Sequence, residues 1–373
     1  MIVLGMAATI SYIGDPGELF GGHGTYEQEM VNILQSGHNV INKENMDWGK
    51  FRSTLIARDF IRPNTIVLGS SRVMEISNEM LDVLPFPQHR VFFNSWSASA
   101  TLGDIISIVM CFVENGKPPG TIILGIDPYY FYKEGLTFPS LAKYYSLGLK
   151  QIGYTSSGKN TFSLLDKEYY ELISYPYVIA ALSKILREDS HPAPTDEIYG
   201  EGWIDLQDGR RSWPKSFREK TGAVVASEIR VAQPVIKTIR PPSKMNPNQI
   251  KLFDAFNTWL LKHGVRAVFF IPPWHPIMYH NIAFVPGNRE FVESESYICK
   301  YAEEKNIMVI GSFDPDQYNL TSSDFYDGSH ARPDAIMRIF AISNAGRWKQ
   351  SRQADTEDQV PSMIMTKGSF DTF

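Results

Sequence analysis

Cysteine is scarce: the 373 residues include only Cys111 and Cys299. Both fall inside apolar helical patterns, where buried free thiols are expected, and two thiols do not fix the redox compartment. Basic charge is not in excess either. The chain carries 36 Lys and Arg against 41 Asp and Glu, a net charge of -5, with the two signs interspersed. Duplex nucleic acid requires a broad basic field, so nucleic acid is not an expected partner. No apolar run reaches the roughly 20 residues that span a bilayer. The stretch from Ile2 to Ile13 is almost wholly apolar but short, with no Lys or Arg before it, and a turn at Asp15-Pro16-Gly17 and Gly21-Gly22 ends it. It reads as the end of a signal anchor or as an apolar strand or helix packed on the domain. Walker and dinucleotide glycine fingerprints are missing. His191, His263 and His280 have no partners at metal-ligand spacing, so neither a cofactor nor a metal is expected.

What is present is a composition that is 43% hydrophobic, in a chain too long for one minimal module. Five short apolar runs, Thr65 to Leu68, Arg90 to Phe93, Thr121 to Ile126, Val265 to Ile271 and Ile307 to Ile310, have strand length and little polar alternation. Strands covered on both faces of a parallel sheet read this way. Helical patterns lie between them. Thr101 to Val113 ends at Asn115-Gly116; Asn246-Pro247 opens a second helix that runs to Gly264; a third spans about Arg289 to Lys305. The expected fold is therefore α/β, a doubly wound and mostly parallel five-stranded sheet whose ligand crevice lies beyond the carboxyl ends of the strands. Residues 1–22 form the apolar N-terminal segment, and 23–349 the main domain, in which about His23 to Phe60 reads as amphipathic helix. A large insertion from about 133 to 243, without clear period, is expected to pack over the crevice. The polar tail 350–373 is expected to be poorly ordered.

The first strand ends in Val67-Leu68-Gly69-Ser70-Ser71-Arg72, and Val73 to Leu84 reads as a helix. A serine at a strand-to-helix turn exposes its hydroxyl beside the positive end of the helix dipole. Serines are also common helix caps, so the tripeptide alone decides little. Near the C-terminus stands Tyr326-Asp327-Gly328-Ser329-His330, followed by a helical pattern from Asp334 through Ala341. An aspartate three residues before a histidine can accept its Nδ1 hydrogen and leave Nε2 free to take a serine proton; a loop hydrogen bond is the plainer alternative. After the second strand, Asn94 offers an oxyanion donor, or a cap for the next helix. After the third strand the chain reads Gly125-Ile126-Asp127-Pro128, and Asp127 is expected to bind a backbone amide, Arg72 or a substrate hydroxyl. Trp274 and His275, in Pro272-Pro273-Trp274-His275-Pro276, suit a sugar face and hydroxyls, or a rigid packed loop.

Taken together and in this order, these blocks resemble the SGNH (GDSL-like) hydrolase superfamily, over roughly residues 60–132 and 246–345. The resemblance implies a flavodoxin-like sheet, Ser71 as nucleophile, His330 as general base and acid, Asp327 as its partner, and an oxyanion hole that includes the Ser71 amide. Ser70 stands where the family often has aspartate, so either serine is arguable; Ser71 is preferred. The family typically has Gly-x-Asn-Asp where this chain has Asp127. Gly-Ser-Ser-Arg, the early Asn94 and Gly-Ile-Asp-Pro are most similar to the branch that acylates bacterial cell-surface polymers, namely the alginate acetylation proteins and the teichoic acid D-alanylation protein. That implies an extracytoplasmic O-acyl transferase or esterase, with a polysaccharide or other surface polymer as acceptor and a membrane-bound O-acyltransferase as a possible neighbour. The rival expectations are a non-catalytic polymer-binding or scaffold protein and a cytoplasmic small-ester esterase or lipase. Tyr154, Tyr169, Trp203, Trp213 and Phe217, set among Asp205, Asp208, Arg210 and Arg211, are expected to form either an acceptor-binding wall or the insertion's own small core.

Overall fold

The computed structural model describes residues 2–14, 26–43, 46–58, 61–85, 89–154, 191–236, 244–283 and 289–343, besides residues 178 and 182. Tyr169 and the tail 350–373 lie outside them. The chain opens with helices α1 (Ile2–Gly14) and α2 (Tyr26–Gln35), strand β1 (Asn39–Asn42) and helix α3 (Trp48–Ala57). Strands β2 (Thr65–Leu68) and β3 (Phe92–Asn94) follow, then helix α4 (Leu102–Glu114), strand β4 (Thr121–Gly125) and helix α5 (Ala142–Gln151). Short strands β5 (Ala193–Thr195), β6 (Trp203–Asp205) and β7 (Arg211–Ser212) lead to helices α6 (Lys215–Arg218), α7 (Gly222–Ile236) and α8 (Pro247–Lys262). The chain closes with β8 (Arg266–Ile271), α9 (Pro276–Ala283), α10 (Arg289–Glu304), β9 (Met308–Gly311) and a last helix, α11, over 333–343.

Five strands form one all-parallel sheet in the order β3-β2-β4-β8-β9. Numbered along the chain this is 2-1-3-4-5, a doubly wound order whose reversal lies at β2 and β4. Each expected strand is present within two residues of its expected ends. The reason is compositional: β2 is buried along its whole length, and β8 in all but its first residue, so neither needs a polar face. Helix α4 is likewise buried on nearly every side, and its start is fixed by a reciprocal capping box between Thr101 and Asp104. Asn246 caps α8 through the Asn248 amide.

Three expectations fail. Val73 to Leu84 is not a helix: Ser71–Val73 and Glu79–Val83 are separate 3-10 turns, so no helix dipole points at Ser71. The stretch 23–60 is not helix alone, because β1 lies within it. β1 pairs antiparallel with both β5 and β6, in a second sheet of order β5-β1-β6-β7. The N-terminal part and the 133–243 segment thus share a sheet. Cys111 is buried as expected, but Cys299 is exposed on α10, whose pattern at that position faces water. Among the described residues, no helix is long and apolar enough to cross a membrane.

Candidate active site

The chain leaves β2 through Gly69, whose φ of 155° suits glycine. A Cβ there would stand 2.8 Å from a Val73 methyl, so the tight turn into Ser70 and Ser71 needs the missing side chain. Ser70 caps the following 3-10 turn by accepting from the Arg72 amide. Ser71 emerges at the carboxyl end of β2, beside the sheet's reversal, where a doubly wound fold opens its crevice.

The Asp327 and His330 loop is closed by a single antiparallel bridge, Phe325 to Ala331, with the Tyr326 amide on the His330 carbonyl at 2.9 Å. Asp327 Oδ1 accepts the amides of Ser329 at 2.8 Å and His330 at 3.0 Å, a turn that aspartate favours. The same carboxylate receives His330 Nδ1 at 2.8 Å, and His330 Nε2 lies 2.8 Å from Ser71 Oγ. Ser329 Oγ is a third neighbour of Nδ1 at 3.2 Å. Burial opposes ionisation of Asp327, but the hydrogen bond and charge of His330, then the two amides, outweigh it and bring the carboxyl down to about 2. A hydroxyl, an imidazole and an ionised carboxylate in series can pass the serine proton to the ring and stabilise the resulting imidazolium.

These groups open onto a cavity of about 470 Å³. Arg72 and Asp127 line it beside Ser70 and Ser329; its remaining walls are the Ser99–Ala100–Thr101 turn, Tyr129, Lys133 and Trp274. Asp104 shapes the first of these: its buried carboxylate receives the Thr101 hydroxyl and the amides of Thr101, Thr137 and Phe138. Burial raises its pKa against those bonds. Ser99 itself sits in the left-handed region at φ 53°, an unfavourable conformation for serine that the surrounding bonds sustain. No protein-family model matches the chain, and no curated protein sequence is significantly similar to it.

Of the remaining residues singled out in the sequence, Asp127 pairs with Arg72 and Trp274 reaches the cavity as expected, while His275 and the insertion's rings follow the packed alternative and Asn94 follows neither of its two. Asn94 is fully buried; its amide nitrogen donates to the carbonyls of Val73 at 2.9 Å and Ile76 at 3.0 Å, and its oxygen accepts from the Trp96 amide. Both side-chain hydrogens are committed, so Asn94 is no oxyanion donor; it holds the irregular 73–76 segment that replaced the expected helix. Arg72 and Asp127 do pair, at 2.7 Å, and both are buried. Asp127 also receives the Ser70 hydroxyl. Arg72 spends its other donors on the carbonyls of Pro272, Pro273 and Ser329, with its guanidinium 4.2 Å from the Trp274 ring centroid. The two therefore tie the serine turn to the strand-end loop and to the histidine loop instead of waiting for substrate. Trp274 reaches the cavity, but one of its faces is already covered by Arg72 and it is 7% exposed.

His275 is wholly buried, accepts the Ile277 amide at Nδ1 and packs edge-on against Phe325. Burial pushes its pKa down to about 4 despite the nearby Asp327, so it stays neutral behind the loop and cannot meet substrate hydroxyls. Trp203, Trp213 and Phe217 do not line the cavity. They stack on one another, and Trp213 continues the stack onto Tyr326 and His330. Asp205 and Arg211 pair behind them, with Arg211 between the Trp48 and Trp203 rings, and Asp208 pairs with Arg210. Tyr154 donates to the Asn248 carbonyl. The acceptor-wall expectation thus fails for these rings. Sequence reasoning missed Tyr129 and Lys133, which carry no motif, and Glu75, whose burial nothing nearby in sequence announces.

Proposed function

We propose that the chain is an SGNH-type serine esterase or O-acyltransferase that works through an acyl-Ser71 intermediate on an extracytoplasmic polysaccharide or other surface polymer. The observation that carries this reading is the unbroken series from Ser71 Oγ to His330 Nε2 at 2.8 Å and from His330 Nδ1 to Asp327 at 2.8 Å, opening on a cavity. His330 takes the Ser71 proton as Oγ attacks the acyl carbon. Asp327 stabilises the imidazolium, which then gives its proton to the leaving alcohol. Water or a sugar hydroxyl, deprotonated by the same ring, attacks the acyl-serine and frees it.

The tetrahedral oxyanion needs donors. With Asn94 committed and Asp127 paired to Arg72, the reading assigns that work to main-chain N–H groups, those of Ser71 and of the left-handed Ser99 across the cavity, since the Ala100 and Thr101 amides are taken by Ser97 and Asp104. The half-exposed Tyr129 ring and the exposed Lys133 beside it supply a flat apolar face and a charge, which suit a sugar acceptor. A membrane-bound O-acyltransferase is the proposed source of acyl groups. A non-catalytic, polymer-binding role is the second reading, favoured by the lack, among the described residues that line the cavity, of any side-chain amide. A fluorophosphonate probe separates them. Peptide mapping should place the adduct on Ser71, with labelling abolished by His330→Ala; labelling of Ser70, or none, would count against the esterase.

A further inference from the structure

We infer that Trp213, carried by the segment between β4 and α8, is a positioning residue for His330, acting on the chemistry through the base without itself lining the cavity. The inference rests on the proposed function for its catalytic meaning and on geometry for its substance. Among the described residues, every hydrogen bond that orients the His330 side chain, apart from that of Ser71, comes from its own loop, namely from Asp327 and Ser329. Bonds at one edge of an imidazole fix the direction of its nitrogens but leave the plane free to tilt about that edge. What restrains tilt is a surface against the ring. Trp213 supplies one, its centroid 5.0 Å from that of His330 with the planes at 64°, an edge-to-face arrangement.

Trp213 is itself held from several sides. It is 5% exposed, flanked by Trp203 at 4.8 Å and Phe217 at 4.9 Å, and its carbonyl accepts Arg218 Nε at 2.9 Å. Tyr326, the residue before Asp327, lies against its ring at 5.0 Å and 30°. The loop is also clamped to the same segment. Arg332, two residues beyond His330, donates to the carbonyls of Arg218 and Lys220, each at 2.8 Å, and through Nε to Phe325 at the loop's other end. A single guanidinium thus ties both ends of the histidine loop to the ground on which Trp213 stands. Misplacing a catalytic group by about 1 Å costs roughly 10²-fold in rate, which sets the scale expected.

The test is turnover of p-nitrophenyl acetate, with melting temperature recorded in parallel. Trp213→Ala should lower kcat about 10- to 100-fold with KM within about twofold, because the ring touches the base and does not itself line the cavity. Trp213→Phe, which restores an aromatic face, should recover most of kcat. Trp213→Leu, which fills volume without that face and serves should the alanine variant not fold, should not. Trp203→Ala removes a ring of the same stack that makes no contact with His330; it should lower the melting temperature while kcat of the folded protein holds. A folded Trp213→Leu with wild-type kcat, or a Phe variant no better than Leu, overturns the inference. Inactivity of the wild type would instead sink the esterase reading. The positioning claim is then decided by NMR of the His330 ring: its resonances should move or broaden in Trp213→Leu and persist in Trp213→Phe, and unchanged spectra in both would overturn it.

Discussion

Asn94 shows how a polar side chain beside a reactive serine can be consumed by the backbone. The segment after Ser71 makes no α-helix, and the Ile76 carbonyl and the Trp96 amide would be left buried without their partner if Asn94 did not reach them, while the Val73 carbonyl would keep the Ile76 amide. Leaving a buried acceptor unpaired costs about 1–3 kcal/mol. Asn94→Ala should therefore lower the unfolding free energy in urea by roughly 2–5 kcal/mol while the folded fraction keeps ester turnover within about threefold. A loss of about 10²-fold or more at unchanged stability would return Asn94 to the oxyanion hole. Glu75 makes a pH-dependent prediction. Burial pushes it up to about 8, against the Tyr326 hydrogen bond and the charges of Arg210, Arg332 and Arg218. In the unfolded chain its ordinary value of 4.5 applies. A folded pKa above the unfolded one means that the unfolded state sheds its proton first. The stability of the protonated fold is whole below pH 4.5 and is lost progressively as pH rises to about 8. Glu75→Gln removes that loss. Its urea midpoint relative to wild type should rise across this window and stay level on either side; parallel curves would refute the assignment.

At the scale of elements, what the sequence made legible was whatever burial repeats. The runs that became β2, β4 and β8 are apolar because both faces of a central strand are covered, and α4 and α8 announce themselves by their caps as well as their periods. β1 did not: four residues, Asn-Val-Ile-Asn, pack one face and expose too little pattern to stand out between two helices. The 3-10 turns after β2 read as helix because the apolar residues there, Val73, Ile76, Met80 and Leu81, are spaced helically, yet all four are buried on a backbone broken into two separate turns. Of the candidate site, Ser71 was readable from the strand end it follows, and Asp327 and His330 from their three-residue spacing in one loop. The contacts of Asn94, Trp274, His275 and the insertion's rings were not, because they depend on which segments meet across long stretches of chain. Trp213 stands 117 residues from His330 in the numbering, and no local signal links them.

For the molecule as a whole, the question is whether 133–243 is an appendage or part of the fold. β1, from the N-terminal part, lies between β5 and β6 from that segment, so excision would strip both its neighbours. The Asp208-Gly209 turn closes the free edge of β3: the Asp208 carbonyl accepts the Asn94 amide at 2.8 Å. A Cβ on Gly209 would stand 2.1 Å from the Asn94 carbonyl, so the approach is as close as backbone permits. The Gly209 carbonyl accepts both the Trp96 indole and Arg52, whose guanidinium is buried among Trp48, Phe51, Phe93 and Trp96 and bonds the Trp96 carbonyl. Burial lowers Arg52 to about 9, and a cation so placed is tolerated only while its acceptors remain. Replacing 133–243 by a Gly-Ser linker should therefore remove the cover of β3, two pairing partners of β1 and an acceptor of Arg52 together. The expected product is aggregated or lacks a cooperative urea transition, with no near-ultraviolet signature of packed aromatics and no fluorophosphonate labelling of Ser71. A soluble, cooperatively folding and labelled core would show instead that the parallel sheet stands alone and that the segment is a separate module.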